Sequence, residues 1–237
     1  MRIALTRLRT AILFFSPMVA DSQRTQIREE LKWLNAHLGI VRDLDVAIER
    51  IAKTSPPYRS WSKKRTDSHR LLARALQSAR YRRLIEDTSD WIENGPWSIK
   101  RGKQATQERT SPIAAYGAAK LARWQQKLLK KSAKLLEMDA EKRHRLRLLN
   151  KKLSYSIEAF DDLFSNKGFS GQQDSLKHLR KAQRCLGQLN DDAKGHSLAA
   201  ALQRHGADAH LQFLSPKREK KLLQTAATAY RKLAALT

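Results

Sequence analysis

Apolar residues recur at three- and four-residue intervals along almost the whole chain, which is the spacing of one face of an α-helix. In residues 2–15, for example, Leu5, Leu8, Ile12 and Phe15 lie on one stripe. No stretch alternates polar and apolar residues as a half-buried strand would. The pattern therefore predicts an all-α fold. The predicted helices span residues 2–15, 22–53, 62–94, 113–137, 140–164, 173–204 and 216–235.

One stretch between these helices has the composition of a linker. Gly95 and Pro96 end the third predicted helix, because glycine is expected to supply a left-handed cap and proline prevents continuation. The basic, polar stretch 98–111 follows. It divides a single domain into a first helical bundle, residues 1–97, and a second, residues 112–237.

The two halves resemble each other in sequence. Residues 2–8 align with residues 147–153, and residues 38–43 align with residues 186–191 at nearly the same offset. Such self-similarity indicates an internal duplication, in which each copy is a small helical bundle that buries its apolar stripes.

The number of predicted helices differs between the halves. Three precede the linker and four follow it, so the first half lacks a counterpart of helix 113–137. Either the first half is a three-helix variant, or an upstream helix is missing from this chain. The second alternative would leave apolar surface around Leu8 and Ile12 uncovered, and a partner such as a second copy of the chain would then occupy it.

Charge and composition narrow the class of partner. The chain has 47 Lys and Arg against 23 Asp and Glu, a net charge of +24, which indicates a polyanionic partner. Its hydrophobic content of 41% is enough to bury a core, so it is not a disordered basic tail.

Cys185 is the single cysteine and cannot form an intramolecular disulfide. Ser16 and Pro17 interrupt the short apolar run that resembles a signal peptide, and no segment is apolar enough to span a membrane. We expect a cytoplasmic protein with no membrane partner.

The segment richest in candidate chemistry is helix 140–164. Its residues His144, Arg147, Lys151 and Tyr155 fall on one stripe, opposite a stripe of large apolar residues. Guanidinium, ammonium and protonated imidazole are positively charged N–H donors, the combination that an acceptor-only phosphate requires. Because protonation of His144 adds both charge and a donor, affinity for phosphate should rise as pH falls.

Basic residues also form faces on other predicted helices, and packed together they would line a common groove. The alternative is a solvated basic surface, which is the usual meaning of Lys and Arg at this spacing. The further candidates are Arg2, Arg7 and Arg9 on the first helix, Arg28, Lys32 and Arg42 on the second, Arg70 and Arg74 on the third, Lys152 beside Lys151, and Lys177, Arg180 and Arg184 on the penultimate helix.

Enzymatic interpretations have less support. The sequence contains no nucleophile elbow, glycine-rich phosphate loop or HExxH motif, so no catalytic residue, metal or cofactor is assigned. Six aspartates could be imagined as metal ligands of a phosphohydrolase, but capping and ion pairing explain them better, since they lie near helix ends or basic residues. They are Asp43, Asp45, Asp161, Asp162, Asp191 and Asp192. Net charge fits a nucleic-acid-binding protein equally well, yet no recognition motif supports one.

Four segments follow each other in an order that is more specific than any one of them. They are Arg2-x-x-x-x-Arg7-Leu8-Arg9, Leu38-Gly39-x-x-Arg42-Asp43-Leu44-Asp45, Arg80-Tyr81-x-x-Leu84 to Trp91, and His144-x-x-Arg147-x-x-x-Lys151-Lys152-Leu153-x-Tyr155. In this order they resemble the CHAD family, the conserved histidine α-helical domain, over almost the entire chain. The resemblance implies two similar antiparallel helical bundles related by pseudo-two-fold symmetry. It also implies a non-catalytic module that binds inorganic polyphosphate through a basic central groove, in some members on polyphosphate granules.

The resemblance assigns roles to particular residues. His144, Arg147, Lys151, Lys152 and Tyr155 match its second binding helix, and Arg2, Arg7 and Arg9 match its first. This sequence departs from the family pattern in the first half, where the histidine would fall before residue 1 and Thr6 replaces a basic residue opposite Lys151. We therefore expect a lopsided groove in which the second half provides the stronger contacts.

Overall fold

The computed structural model describes residues 1–49, 51, 53, 54, 56–99, 106, 107, 110, 112–164, 171–203 and 213–236. In this part of the chain eight α-helices have both ends described, residues 106, 107 and 110 are also helical, two short 3₁₀ turns span Pro96–Ser98 and Leu135–Glu137, and no strand occurs. The predicted all-α fold is confirmed. The helices are α1 (Arg2–Phe14), α2 (Ser22–Glu49), α3 (Pro57–Gln77), α4 (Ala79–Asn94), α5 (Ile113–Ser132), α6 (Ala140–Phe164), α7 (Gly171–Gln203) and α8 (Pro216–Ala234).

The third predicted helix, residues 62–94, is wrong as a single element. Ser78 separates α3 from α4 with an extended backbone, φ −73° and ψ 154°. Its hydroxyl accepts a hydrogen bond from the backbone N–H of Tyr81 at 3.2 Å and donates to the carbonyl of Ala75 at 2.6 Å. Serine is a strong N-cap, and it starts a new helix while the apolar spacing continues across the break. Within the described residues, four α-helices therefore precede residue 98, not the predicted three.

The structure divides into two compact units. Unit 1 comprises Met1–Thr110 and Ser197–Leu211, and unit 2 comprises Ser111–His196 and Gln212–Thr237. Most of the predicted linker, residues 100–105, 108, 109 and 111, lies outside the described residues. In the described part of the chain, none of the helices has the length and hydropathy that crossing a membrane requires.

The core of unit 1 forms where α2 packs against α1, α3 and α4. Its buried cluster takes leucine and isoleucine from the first two helices, and Leu84 and Trp91 from α4. Ile12 is only 6% exposed, and Leu8 packs against the same cluster. The apolar surface around Leu8 and Ile12, which a missing upstream helix would have left uncovered, is therefore covered within unit 1.

One carboxylate joins the start of α2 to the end of α4. Asp21 accepts a hydrogen bond from the backbone N–H of Arg24 at 2.8 Å, which caps α2. Its other oxygen accepts from the indole Nε1 of Trp91 at 2.9 Å and from the backbone N–H of Trp97 at 3.2 Å. The turn after α4 is thereby fixed against the first turn of α2.

Gly95 ends α4 for a different reason from the predicted left-handed cap. Its φ is −59° and its ψ is 151°, so the prediction of a left-handed cap is wrong. A Cβ at this position would lie 2.4 Å from the carbonyl oxygen of Trp91 and 2.6 Å from the ring of Trp97. The Trp97 indole folds back to donate to that same carbonyl at 2.7 Å. Glycine is required because the indole occupies the space of a side chain.

Replacing Gly95 with alanine should lower the free energy of unfolding by about 1–3 kcal/mol, the usual cost of overpacking a filled site. Urea unfolding of the Gly95→Ala variant measures this. Gly39→Ala is the matched control: among the described residues nothing lies within 4 Å of its added Cβ. Since alanine favours a helix interior by about 0.5–1 kcal/mol, the control should be unchanged or more stable. A Gly95→Ala variant as stable as the control would contradict this account.

A bidentate ion pair clamps α4 to α2. Arg80 donates from Nε to one oxygen of Glu30 at 2.6 Å and from Nη2 to the other at 2.9 Å. Its guanidinium also lies 4.3 Å from the centroid of the Trp33 ring. The hydrogen bond from Arg80 lowers the pKa of Glu30, although partial burial acts in the opposite direction.

This clamp should make stability depend on pH. A lowered folded-state pKa stabilises the protein fully above the ordinary glutamate pKa of 4.5, and the contribution is lost as pH falls from there through the folded value. The gap in unfolding free energy between the wild type and Glu30→Gln should therefore be largest near neutral pH and shrink in acid. Glu86→Gln, which changes an exposed glutamate of α4, is the control. A gap for Glu30→Gln that stays constant between pH 7 and pH 3 would disprove the assignment.

Unit 2 is built around α6. This helix buries Leu146, Leu153 and Ile157, each at most 3% exposed, as its apolar stripe predicts. Helix α5 packs on α6 and on α8, and α8 also packs on the 3₁₀ turn Leu135–Glu137. Hydrogen bonds from side chains of α6 join it to α7 and α8, and they set the direction in which its polar face points.

Candidate functional site

The predicted basic residues of α6 form one line of half-buried side chains. We define the basic stripe as His144, Arg147, Lys151 and Tyr155; Lys152 lies beside it and is also half-buried. The Nζ of Lys151 lies 5.4 Å from the centroid of the Tyr155 ring, a cation–π contact. The side chains of the stripe are therefore partly packed against the protein and partly open to solvent.

A buried amide fixes the rotation of α6. Asn150 is fully buried and donates through Nδ2 to the carbonyl of Leu179 at 3.1 Å and to Oε1 of Gln183 at 2.9 Å, both on α7. Its Oδ1 accepts from the hydroxyl of Tyr230 on α8 at 3.1 Å. Burial raises the pKa of Tyr230, so its phenol keeps the proton that it donates. Because the three partners of Asn150 lie on two helices, they fix the rotation of α6 about its axis. Lys151 follows Asn150 directly, so its direction is fixed as well.

A second amide on α7 orients the histidine of the stripe. The Nδ1 of His144 lies 2.6 Å from Oδ1 of Asn190, whose Nδ2 donates to Asp191 at 3.3 Å. Because an amide oxygen only accepts, the proton of the His144 ring lies on Nδ1. The other ring nitrogen, Nε2, becomes a donor when the ring is protonated.

Arg147 lies between these two contacts. Its Nε is buried and has no hydrogen-bond partner in the described part of the chain. Across from it on α7 is Gly187: a Cβ built there would lie 4.0 Å from that Nε. The guanidinium therefore packs against a helix position that has no side chain.

Neighbouring cations of unit 2 are held differently. Arg180, a predicted site residue, donates to Glu158 at 2.9 Å. Arg143, which the sequence argument missed, is 18% exposed and pairs with Glu219 of α8 at 2.7 Å. A polar or charged residue on the apolar stripe of a helix, as Arg143 and Asn150 both are, is the pattern that would have indicated a buried partner.

Three cations lie around Cys185. Burial raises the pKa of the Cys185 thiol, and the charges of Lys181, Arg184 and Arg218 act in the opposite direction. Arg184 was predicted as a site residue, whereas Lys181 and Arg218 were not. All three are exposed, as is the predicted Lys177.

The predicted site residues of unit 1 are all exposed. Lys32 pairs with Glu29 at 3.2 Å, and Arg70 lies 3.4 Å from Asp67, both within one helical turn. Unit 1 therefore has no half-buried line of the predicted cations comparable to the basic stripe. The exposed residues are Arg2, Arg7, Arg9, Arg28, Lys32, Arg42, Arg70 and Arg74.

Two positions of α1 that align with the stripe carry threonine, whereas Arg2 aligns with Arg147. Thr6, opposite Lys151 in the alignment, donates its hydroxyl to the carbonyl of Arg2 at 2.8 Å. Thr10, opposite Tyr155, donates to the carbonyl of Thr6 at 2.8 Å. These hydroxyls bond the backbone of their own helix. The lopsided groove expected from the sequence stays a prediction. The sequence also predicts that donors of both halves line one common groove. This concerns the arrangement of the two units and stays a prediction.

The carboxylates considered as metal ligands have other partners where the structure describes them. Asp45 accepts from His69 at 3.0 Å and from Arg65 at 2.6 Å, and both hydrogen bonds lower its pKa. Asp192 accepts from the backbone N–H of Leu214 at 2.7 Å. The side chains of Asp161 and Asp162 lie outside the described residues. Among the residues described, no three His, Cys, Asp or Glu side chains group as a metal site would.

Comparison with known proteins identifies the family. The model of the CHAD domain matches residues 1–200, so this chain belongs to the CHAD domain family, as the motifs predicted. The fold is similar to the CHAD domain from the plant Ricinus communis, with a TM-score of 0.68 and 23% identity over 99% of this chain and 74% of that one. It is also similar to PptA from Streptomyces chartreusis, with a TM-score of 0.58 and 15% identity over 99% of this chain and 84% of that one. None of the curated proteins matches this chain.

The importance of Asn150 is open to a direct test. Asn150→Ala should lower the free energy of unfolding by about 3 kcal/mol, because it leaves buried polar groups of α7 and α8 without a partner. Tyr230→Phe removes one of the three hydrogen bonds and should cost about 1 kcal/mol. Urea unfolding of both variants gives the comparison. If Asn150→Ala costs no more than Tyr230→Phe, the amide does not hold the three helices together.

Proposed function

We propose that this protein binds inorganic polyphosphate, or a similarly phosphate-rich polyanion, through the basic stripe of α6 and does not cleave it. The observation that carries the proposal is the line of half-buried donors from His144 to Tyr155, of which His144 bonds Asn190 of α7 and Arg147 packs against Gly187 of α7. Membership of the CHAD domain family and the net charge of +24 support it.

The stripe suits a chain-like ligand. Successive donors of the stripe stand about one turn apart, and an α-helix rises about 5.4 Å per turn. A linear polyphosphate that lies along α6 therefore meets a new hydrogen-bond donor at each turn, and those of Arg147 and Lys151 carry positive charge. Each phosphate unit is an acceptor and carries negative charge, which the guanidinium of Arg147 and the ammonium of Lys151 match.

Partial burial adds affinity. Long basic side chains lose rotamer freedom when they bind, and much of that loss is already incurred where packing orders them in the free protein. The exposed arginines and lysines of unit 1 would add attraction at longer range, which salt screens. We place the protein in the cytoplasm, where polyphosphate granules are one site at which it would meet its ligand.

Replacing Arg147 and Lys151 together with alanine should weaken polyphosphate binding at least tenfold, since each charge-assisted contact is worth about 1.5–3 kcal/mol. The slope of log affinity against log salt should also fall by about two. Titration of long-chain polyphosphate at several ionic strengths measures both quantities. The matched control is Arg123→Ala with Lys127→Ala on α5, which removes the same charge at the same spacing from exposed positions. Equal losses in the two double variants would reduce the stripe to a general charge effect.

Two further measurements separate the alternatives. Duplex DNA and RNA, added at equal phosphate concentration, should not displace polyphosphate from the wild type. Displacement by nucleic acid as effective as that by polyphosphate would favour a nucleic-acid-binding protein. Incubation with Mg²⁺ or Mn²⁺ should release no phosphate, and release abolished by Asp43→Asn or Asp191→Asn would instead show a phosphohydrolase.

A further inference from the structure

We infer that Gly187 of α7 is a positioning residue for Arg147, because the absence of a side chain there lets the Nε of Arg147 lie against α7. The inference rests on the proposed function, in which Arg147 contacts the polyanion. It assigns a role to a residue with no charge and no hydrogen-bonding side chain.

Gly187 lies in the middle of a long helix, where glycine is unfavourable relative to alanine. A Cβ there would lie 4.0 Å from Nε of Arg147, and apart from the adjoining residues of its own helix no other described heavy atom comes within 4 Å of it. A glycine that served close approach of two helices would have backbone atoms of the neighbouring helix nearby. Here the neighbour is the Nε of the arginine side chain, which a Cβ would already touch, so a side chain longer than alanine at position 187 would compete with Arg147 for space.

The flanking contacts fix the position of Gly187 along α6. Asn150 bonds Gln183 at 2.9 Å on one side, and His144 bonds Asn190 at 2.6 Å on the other. Gly187 lies between these two partners on α7. Hydrogen bonds on both sides of the glycine therefore fix how α6 packs on α7, and this packing places Arg147 next to Gly187.

Packing on glycine positions Arg147 without neutralising it. Arg143 and Arg180 are held by the carboxylates of Glu219 and Glu158, which cancel their charge locally. No side-chain hydrogen bond or ion pair of Arg147 occurs within the described part of the chain, and its Nε is buried. An arginine held by packing keeps its full charge and its outer donors for a ligand, which an arginine in a salt bridge does not.

Unit 1 offers a natural control. Residues 38–43 align with 186–191, so Gly39 of α2 corresponds to Gly187. Both glycines are half-buried in a helix. Among the described residues, however, nothing lies within 4 Å of a Cβ at position 39. Substitution of Gly39 changes the helix in the same way without meeting an arginine.

The test compares Gly187→Leu with Gly39→Leu by polyphosphate titration. Gly187→Leu should weaken binding about tenfold, as Arg147→Ala does, whereas Gly39→Leu should leave it unchanged. In the Arg147→Ala background, Gly187→Leu should cause no further loss, because both changes remove the same contact. If the losses of affinity caused by Gly187→Leu and Arg147→Ala multiply in the double variant, Gly187 does not act through Arg147.

A measurement without ligand separates this inference from the proposed function. The buried Nε–H of Arg147 should give a protected NMR signal, assigned by its loss in Arg147→Lys. The signal should disappear or shift in Gly187→Leu and persist in Gly39→Leu. If it responds while the wild type binds no polyphosphate, the proposed function fails and the positioning holds; if binding occurs and the signal does not respond, the positioning fails.

A smaller substitution covers the case in which Gly187→Leu does not fold. The alanine Cβ of Gly187→Ala is in ordinary contact with Nε, so this variant should fold and still shift the Arg147 signal. Gly39→Ala should leave that signal in place. An Arg147 signal that is identical in the two alanine variants would contradict the inference.

Discussion

The hydrogen bonds of Asn150 are the constraint on which the geometry of unit 2 depends. A helix that presents only apolar residues to its neighbours can rotate by small angles at little cost, because dispersion contacts are non-directional. A fully buried amide with partners on α7 and α8 removes that freedom, since rotation would break directional bonds in a site without water. Arg147 and Lys151 lie within one turn of Asn150 on α6, so their direction follows from the amide.

Unit 2 contains cations of two kinds. Arg143 and Arg180 are paired with carboxylates of other helices, and their charge contributes to holding unit 2 together. His144 is oriented by a neutral amide, and Arg147 packs against Gly187. Neutral positioning preserves positive charge at the surface, which is the property that a polyanion site requires. All of these side chains are basic, so the two kinds differ only in what they contact: a carboxylate in one kind, and a neutral amide or a glycine in the other.

Unit 1 has related motifs in a different physical setting. Its cations lie on exposed faces, and on α1 the hydroxyls of Thr6 and Thr10 bond the helix itself. Its ordered ion pairs, Arg80 with Glu30 and Arg65 with Asp45, connect helices to one another. Charge of this exposed kind attracts a polyanion over distance and is screened by salt, whereas a half-buried donor also contributes through direct contact.

The sequence by itself determined the all-α fold, most of the helices and the basic stripe on α6, because periodicity and helix-ending residues act locally; α6 begins and ends where the spacing predicts. Where local patterns were insufficient, the tertiary structure decided where a helix ends and which residue a position requires. Ser78 divides a continuous apolar pattern, and Gly95 is needed because the Trp97 indole occupies its side-chain space. Tertiary packing also decided which cations are neutralised. The carboxylate of Glu219 and the bare backbone of Gly187 are distant in sequence from the arginines they contact, and only the packing of α7 and α8 against α6 brings them there.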